Sequence, residues 1–175
     1  MDTLPQNPPT VADVREFRTS GPWQSKSGGP LNVPIALSHA EARHFLDYDP
    51  AELERIGVDI RGLRVFFVSD APAGGVAGRQ FHRVRTEIEF VIRGSVRWEF
   101  EDLYRAKREV LASPERVVYI PPFILHTLTF EEAGTAVGTL ANTVYVREDS
   151  RTHDTYSADA FRGLQDRIRG HARAR

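Results

Sequence analysis

The chain has 175 residues, 41% of them hydrophobic and 27% charged, with a formal net charge of −1, so one domain with a real core is expected. No basic excess points to a nucleic acid, and no apolar run approaches the roughly 20 residues that span a bilayer. Cysteine is absent, which excludes disulfide and thiolate chemistry. The polar, Pro-rich start lacks the apolar stretch of a secretory signal, so a cytoplasmic location is expected.

In chain order, residues 1–26 read as an N-terminal arm. Pro5, Pro8 and Pro9 lie in its unpatterned first part, which is either mobile or laid across a partner subunit to cover a strand edge. The Gly-, Ser- and Pro-rich stretch Trp23 to Ala36 predicts turns around one short strand, Leu31 to Ala36. Ser38 stands three residues before Glu41, a capping-box pattern that opens a helix over Ala40 to Phe45. Pro50 interrupts it, and a second turn of helix is expected over Ala51 to Ile56.

From Ile60 the pattern turns to strands. Leu63 to Val68 is apolar, β-branched and aromatic. Ala71 to Gly78, with one Pro and three Gly, reads as a loop. A strand is expected at Glu89 to Ile92, then a turn at Gly94. Val96, Trp98 and Phe100 alternate with Arg97 and Glu99, the mark of a half-buried strand. Val117 to Ile120 is a further strand, ended by Pro121 and Pro122, and Thr135 to Val146 supplies one or two more. Ser157 can cap a helix carrying Phe161, Leu164 and Ile168 at helical spacing. Many short strands between turn residues favour a sandwich or barrel over 27–165, with 166–175 as a basic tail.

Two segments carry chemistry. One is Gly78-Arg-Gln-Phe-His82-Arg-Val-Arg-Thr-Glu87, followed by Gly94; the other is Pro121-Pro-Phe-Ile-Leu-His126. They resemble the two motifs of the cupin superfamily, which implies an all-β double-stranded β-helix, or jelly-roll barrel, with short peripheral helices. Residues two apart on a strand share a face, so Gln80 and His82 would both point into such a barrel. Glu87 follows a turn-length offset, Gly94 permits a tight turn, and His126 arrives from a later strand. His82, Glu87 and His126 would then meet, able to bind a metal or move a proton. A lone histidine usually has no such role, and His39, His44, His153 and His171 are read as surface or structural. Trp98, Phe66 and Phe67 are read as core.

The likeness extends further. Ile60 to Pro72, Gly29 to Ile35 and Val118 to His126 resemble the corresponding segments of WxcM-like nucleotide-sugar 3,4-ketoisomerases. Arg85-Thr-Glu87, Asn142 and Asp154-Thr-Tyr156 are similar to the cupin domain of bacterial capsule enzymes that epimerise a UDP-linked keto sugar. The resemblance implies an isomerase acting on a dTDP- or UDP-linked 4-keto-6-deoxy sugar. In it His82, His126 and Tyr119 would be catalytic, with Gln80, Arg97 and Asn142 as substrate-binding residues. The sequence departs from the ketoisomerase pattern at Gln80 and Ala77, where the family has a His and an Arg, and Gln80 cannot serve as a base.

Two alternatives stand beside this reading. In one, a mononuclear metal enzyme (a dioxygenase or an isomerase) holds Zn, Fe(II), Ni or Mn on His82, Glu87 and His126, with Gln80 adding an oxygen. In the other, the chain is a non-catalytic sugar-binding cupin. A small-molecule ligand is expected in every case, and a homodimer is the expected assembly.

Overall fold

The computed structural model describes residues 4–5 and 7–173. Twelve strands and three α-helices follow in order: β1 (Arg15–Arg18), β2 (Ser20–Gln24), β3 (Pro30–Val33), α1 (His39–Phe45), α2 (Pro50–Ile56), β4 (Arg61–Ala71), β5 (Val76–Phe81), β6 (Glu87–Arg93), β7 (Val96–Glu101), β8 (Lys107–Ala112), β9 (Arg116–Ile120), β10 (Leu125–Phe130), β11 (Thr135–Thr143), β12 (Tyr156–Ser157) and α3 (Ala158–Arg173). Ten strands make two five-stranded antiparallel sheets, ordered β1-β9-β6-β11-β4 and β12-β5-β10-β7-β8. The remaining pair, β2 and β3, forms a separate hairpin. This is the double-sheet barrel with peripheral helices that the motifs imply.

Period-two patterning decides which side chains face inward. On β7 Val96, Trp98 and Phe100 are buried, and on β10 their cross-strand partners Phe130, Leu128 and His126 share that face. Val91, Val118, Ile120 and Val137 join them from the opposite sheet to form the central core. Each large side chain sealed there contributes about 1.5–3 kcal/mol of hydrophobic stabilisation. Two smaller clusters lie outside the barrel. Phe81, Phe123, Leu125, Phe161 and Leu164 hold α3 against one sheet, and Phe45, Ile88, Val117 and Tyr119 lie under α1 on the other.

Local signals hold at the helix starts. The Glu41 N–H donates to Ser38 Oγ at 3.3 Å and the Ser38 N–H donates to the Glu41 carboxylate at 2.7 Å. The Ala160 N–H donates to Ser157 Oγ at 3.3 Å. Gly94 turns between β6 and β7 at φ +81°, where a Cβ would collide with Thr135.

Several expectations change. The predicted loop 71–78 contains the start of β5, because pairing with β10 overrides the weak propensity of Ala77 and Gly78. A bulge beside His126 accommodates Gly78 and Arg79, both at positive φ. β1 falls within the expected arm 1–26 and pairs with this chain's own β9 as the edge of a sheet. The early strand is Pro30–Val33, ending before Pro34, and residues 135–146 give one strand that stops at Thr143. Helix α3 crosses the expected boundary at 165 and runs on to 173. Phe66 and Phe67 are not core: they are 37% and 68% exposed, because β4 is the edge strand of its sheet. Among the described residues no helix is long and apolar enough to cross a membrane.

Candidate active site

Three segments deliver the site. His82 follows the end of β5, Glu87 opens β6 and His126 is the second residue of β10. All three are buried, and they converge as expected. His82 Nε2 lies 3.3 Å and His126 Nε2 3.5 Å from Glu87 Oε2, with the imidazole centroids 5.2 Å apart.

The opposite ring nitrogens fix the tautomers. His82 Nδ1 lies 2.6 Å from the Asp154 carbonyl, and His126 Nδ1 lies 3.2 Å from the Ile124 carbonyl. A carbonyl oxygen can only accept, so each Nδ1 carries a proton and each ring turns its Nε2 toward Glu87. Burial lowers His126 to about 4 against the pull of the Glu87 charge, which keeps the ring neutral at physiological pH. Burial works to raise Glu87, but its interactions with His82 and the Arg85 guanidinium outweigh it and hold this carboxyl below its ordinary value. Among the described residues, Glu87 Oε2 has no hydrogen-bond donor.

Arg85 supplies the balancing charge. It lies two residues before Glu87, and its Nη1 approaches Glu87 Oε1 at 3.3 Å and His82 Nε2 at 3.5 Å. Thr143 Oγ1 and Thr155 Oγ1, at 3.3 and 3.4 Å, and the His153 carbonyl hold the guanidinium in place. Deeper on the same face of β6, Glu89 accepts a hydrogen bond from Trp98 Nε1 at 2.5 Å. Burial, helped by the Glu87 charge, pushes Glu89 up to about 8.

A strap after β11, residues 144–157, crosses the site. Its fixed point is the Asp154 carboxylate, which accepts the backbone N–H groups of Arg83, Val84 and Arg85 at 3.1, 2.9 and 2.7 Å. Asp154 adopts φ +40°, an uncommon conformation for a non-glycine residue, to present both its side chain and its carbonyl inward. Beneath the strap, Arg83 pairs with Glu52 through bonds of 2.7 and 2.8 Å, tying α2 to the barrel.

Arg64 comes from β4. It is opposite Ala141 on β11, and Ala141 is opposite Glu87, so Arg64 and Glu87 share the inner face. Its guanidinium lies over the rings of Phe66 and Tyr145, at 4.9 and 5.1 Å, and Tyr145 stacks on His153 at 4.4 Å. Burial and the neighbouring Arg85 charge both lower its pKa.

Three expected site residues lie elsewhere. Tyr119 pairs with Ile88, not Glu87, so the period of two turns it to the outer face. There it lies under Arg15, 4.2 Å from the guanidinium, and lines a 370 Å³ groove with His44 and Phe45. Asn142 is fully buried and both ends of its amide are used: Nδ2 donates to the Phe45 carbonyl at 2.8 Å and Oδ1 accepts from the Thr86 N–H at 2.7 Å. It clamps α1 to the barrel. Arg97 is on the outer face of β7, paired with Glu109 and Glu131. Gln80, by contrast, is directly opposite His126 on the neighbouring strand and shares its face. His153 is half-buried on the strap, and the His171 side chain is outside the described part. Sequence reading missed Arg64 and Asp154 as site residues and gave Arg85 no role. The offset of two from Glu87 was a usable signal for Arg85, as was the lone cation inside the apolar run Leu63 to Val68 for Arg64; for Asp154 the signal was its place in the resembling segment Asp154-Thr-Tyr156.

The barrel and its His–Glu–His cluster define a cupin. More narrowly, the chain belongs to the FdtA family, described as WxcM-like, C-terminal, whose model matches residues 51–160. Among solved structures it is similar to a 3,4-ketoisomerase from Helicobacter canadensis, with 15% identity over 88% of this chain and 98% of that one and a TM-score of 0.60. A sugar 3,4-ketoisomerase from Thermoanaerobacterium thermosaccharolyticum in complex with TDP is 17% identical over 90% and 98%, with a TM-score of 0.57. The dTDP-4-dehydrorhamnose 3,5-epimerase of Bacillus anthracis with TDP and PPi bound is 15% identical over 86% and 83%, with a TM-score of 0.56. No curated protein matches the sequence.

Proposed function

We propose that this chain is an isomerase or epimerase of a nucleotide-linked 4-keto-6-deoxy sugar, with His82 as the proton-transfer residue. One observation carries the reading: His82 anchors its Nδ1 proton on the Asp154 carbonyl and turns its Nε2 inward, beside an ionised carboxylate and a guanidinium. A ketone acidifies the adjacent C–H. Nε2 takes that proton and the electron pair moves onto the ketone oxygen as an enediolate; the proton then returns to the same carbon from the other face, or to the former carbonyl carbon while the neighbouring hydroxyl proton passes to the former ketone oxygen. Glu87 stabilises the imidazolium while it exists, and Arg85 faces the developing oxyanion. Gln80 and His126 complete the inner wall. The WxcM-like family and the fold shared with sugar 3,4-ketoisomerases and a 3,5-epimerase support this substrate class. A cytoplasmic location belongs to the same proposal.

The test is incubation with dTDP- and UDP-linked 4-keto-6-deoxy sugars in deuterated water, followed by NMR. Deuterium is expected at a carbon beside the ketone, and His82→Asn, folded by circular dichroism, should abolish the exchange. No incorporation from any of these sugars refutes the proposal, and ligand-induced thermal stabilisation without turnover would point instead to a sugar-binding protein.

Glu87 Oε2, without a donor, favours a second reading. His82 Nε2, Glu87 Oε2 and His126 Nε2 lie within 4.8 Å of one another, and three converging lone pairs fit a divalent Zn, Fe, Ni or Mn ion, with Gln80 beside them. Such an ion would supply Lewis-acid polarisation of the ketone oxygen. Metal content near zero after purification without chelator, with activity intact after chelation, removes this reading.

The homodimer is part of the proposal as well. Leu63, Val65 and Phe67 on the outer face of edge strand β4 are 58%, 69% and 68% exposed, and a second copy would cover them. Light scattering that gives a monomer at micromolar concentration refutes it.

A further inference from the structure

We propose that the groove between α1 and the outer face of strands β1, β9 and β6 is a binding site for a small apolar carboxylate, separate from the catalytic barrel. The groove has a volume of 370 Å³, the size of a small-molecule site. Its apolar side is built of Phe45, Ile88 and Val117, all buried, with Ile35 half-buried and Leu37 38% exposed. Ile88 follows Glu87 on β6, so it faces away from the catalytic cluster. Tyr119, which pairs with Ile88, faces the same way from β9. A ligand in the groove is therefore divided by the sheet from His82, Glu87 and His126.

Charge selects the kind of ligand. Arg15 and Arg18 of β1 are exposed and line the groove. The neighbouring carboxylates are engaged elsewhere: Glu16 pairs with Arg108 and Arg116, and Glu41 accepts the Ser38 N–H in the α1 capping box. Among the described residues no carboxylate stands within ion-pair distance of Arg15 or Arg18. Arg15 lies with one face over the Tyr119 ring, 4.2 Å from its centroid, and keeps the N–H edge of its guanidinium for the two oxygens of a carboxylate. Glu41 also lines the groove, which favours a single negative charge over a dianion. The ligand body is hydrocarbon, because hydroxyl groups laid on Phe45, Ile88 and Val117 would lose water without gaining partners. The second copy proposed above covers β4, at the other end of the sheet order from β1, which leaves the groove to a small molecule.

The test is isothermal titration calorimetry with octanoate, hexanoate and octylammonium on wild type, Arg15→Gln, the double variant Arg15→Gln/Arg18→Gln, Ala40→Trp and the control Arg97→Gln. Wild type should bind one octanoate per chain, and hexanoate more weakly by about fourfold for each methylene removed. Arg15→Gln should weaken octanoate about 10-fold, the double variant further, and Arg97→Gln not at all. Ala40 is an exposed α1 residue that lines the groove, so Ala40→Trp should fill it and abolish binding while circular dichroism stays unchanged. Equal octanoate affinity in wild type and the double variant overturns the proposal. So does octylammonium binding as tightly as octanoate, uptake of octanoate without saturation, or failure of wild type to bind octanoate at millimolar concentration. Octanoate binding that disappears as light scattering shows dimer formation overturns it as well, by giving the groove to a second copy.

Discussion

Replacing Glu89 by glutamine isolates the most strongly shifted acid in the barrel. Its folded value is about 8 against an ordinary 4.5, with burial as the first cause and the Glu87 charge as the second. Between those two values the folded protein holds a proton that the unfolded chain has released. Stability from this group is therefore complete below pH 4.5, falls as the pH rises, and is gone above about pH 8. The slope approaches 1.36 kcal/mol per pH unit, so wild type should lose about 2–3 kcal/mol between pH 5.5 and 7.5 relative to Glu89→Gln. The amide has nearly the shape of the protonated acid and still accepts from Trp98 Nε1. Urea unfolding at the two pH values measures the difference, with Trp98 as the reporter in a Trp23→Phe background, since Trp23 is 52% exposed and Trp98 fully buried. Adding Glu87→Gln should narrow the window from its upper end. Parallel stability–pH curves for wild type and Glu89→Gln would refute the reasoning.

Asp154→Ala removes the acceptor of three backbone N–H groups, so amide exchange at Arg83, Val84 and Arg85 should speed up at least 10-fold, and His82 should become reactive to diethyl pyrocarbonate; unchanged protection would show that the strap is held by something else. Tyr119→Phe should leave turnover within about twofold, because the phenol lies on the outer face; a loss of a hundredfold would return Tyr119 to the site. Asn142→Ala should destabilise the fold by about 2–3 kcal/mol in chemical denaturation by orphaning the Thr86 N–H and the Phe45 carbonyl. Glu52→Ala should cost about 3–5 kcal/mol in the same assay, because it removes the carboxylate that two bonds from Arg83 engage.

The parts of this protein legible in its sequence are those governed by local periodicity. Val96, Trp98 and Phe100 announced β7, and Ser38 with Glu41 announced α1, because alternation and capping are written within a few residues. The His82–Glu87–His126 convergence was legible through motif spacing. Tyr119 failed for a reason of register: a shift of one residue on β9 exchanges the inner and outer faces, and only the pairing of Glu87 with Ile120 decides it. Asn142 looked like a ligand group because its clamp partners, Phe45 and Thr86, are distant in sequence. Asp154 was hidden for the same reason, since it meets its three donors about seventy residues upstream. Phe66 and Phe67 read as core because the sequence does not say which strand ends a sheet.

The contact between the Asp154 carbonyl and His82 makes a peptide oxygen the arbiter of which imidazole nitrogen is basic. No side-chain substitution can delete that oxygen; only its position can change, and position depends on the path between Thr143 and the anchored start of α3. Tuning of the proton-transfer group is thereby handed to backbone length: adding or removing one residue in that stretch would reset the ring's protonation pattern while every member of the cluster stayed in place.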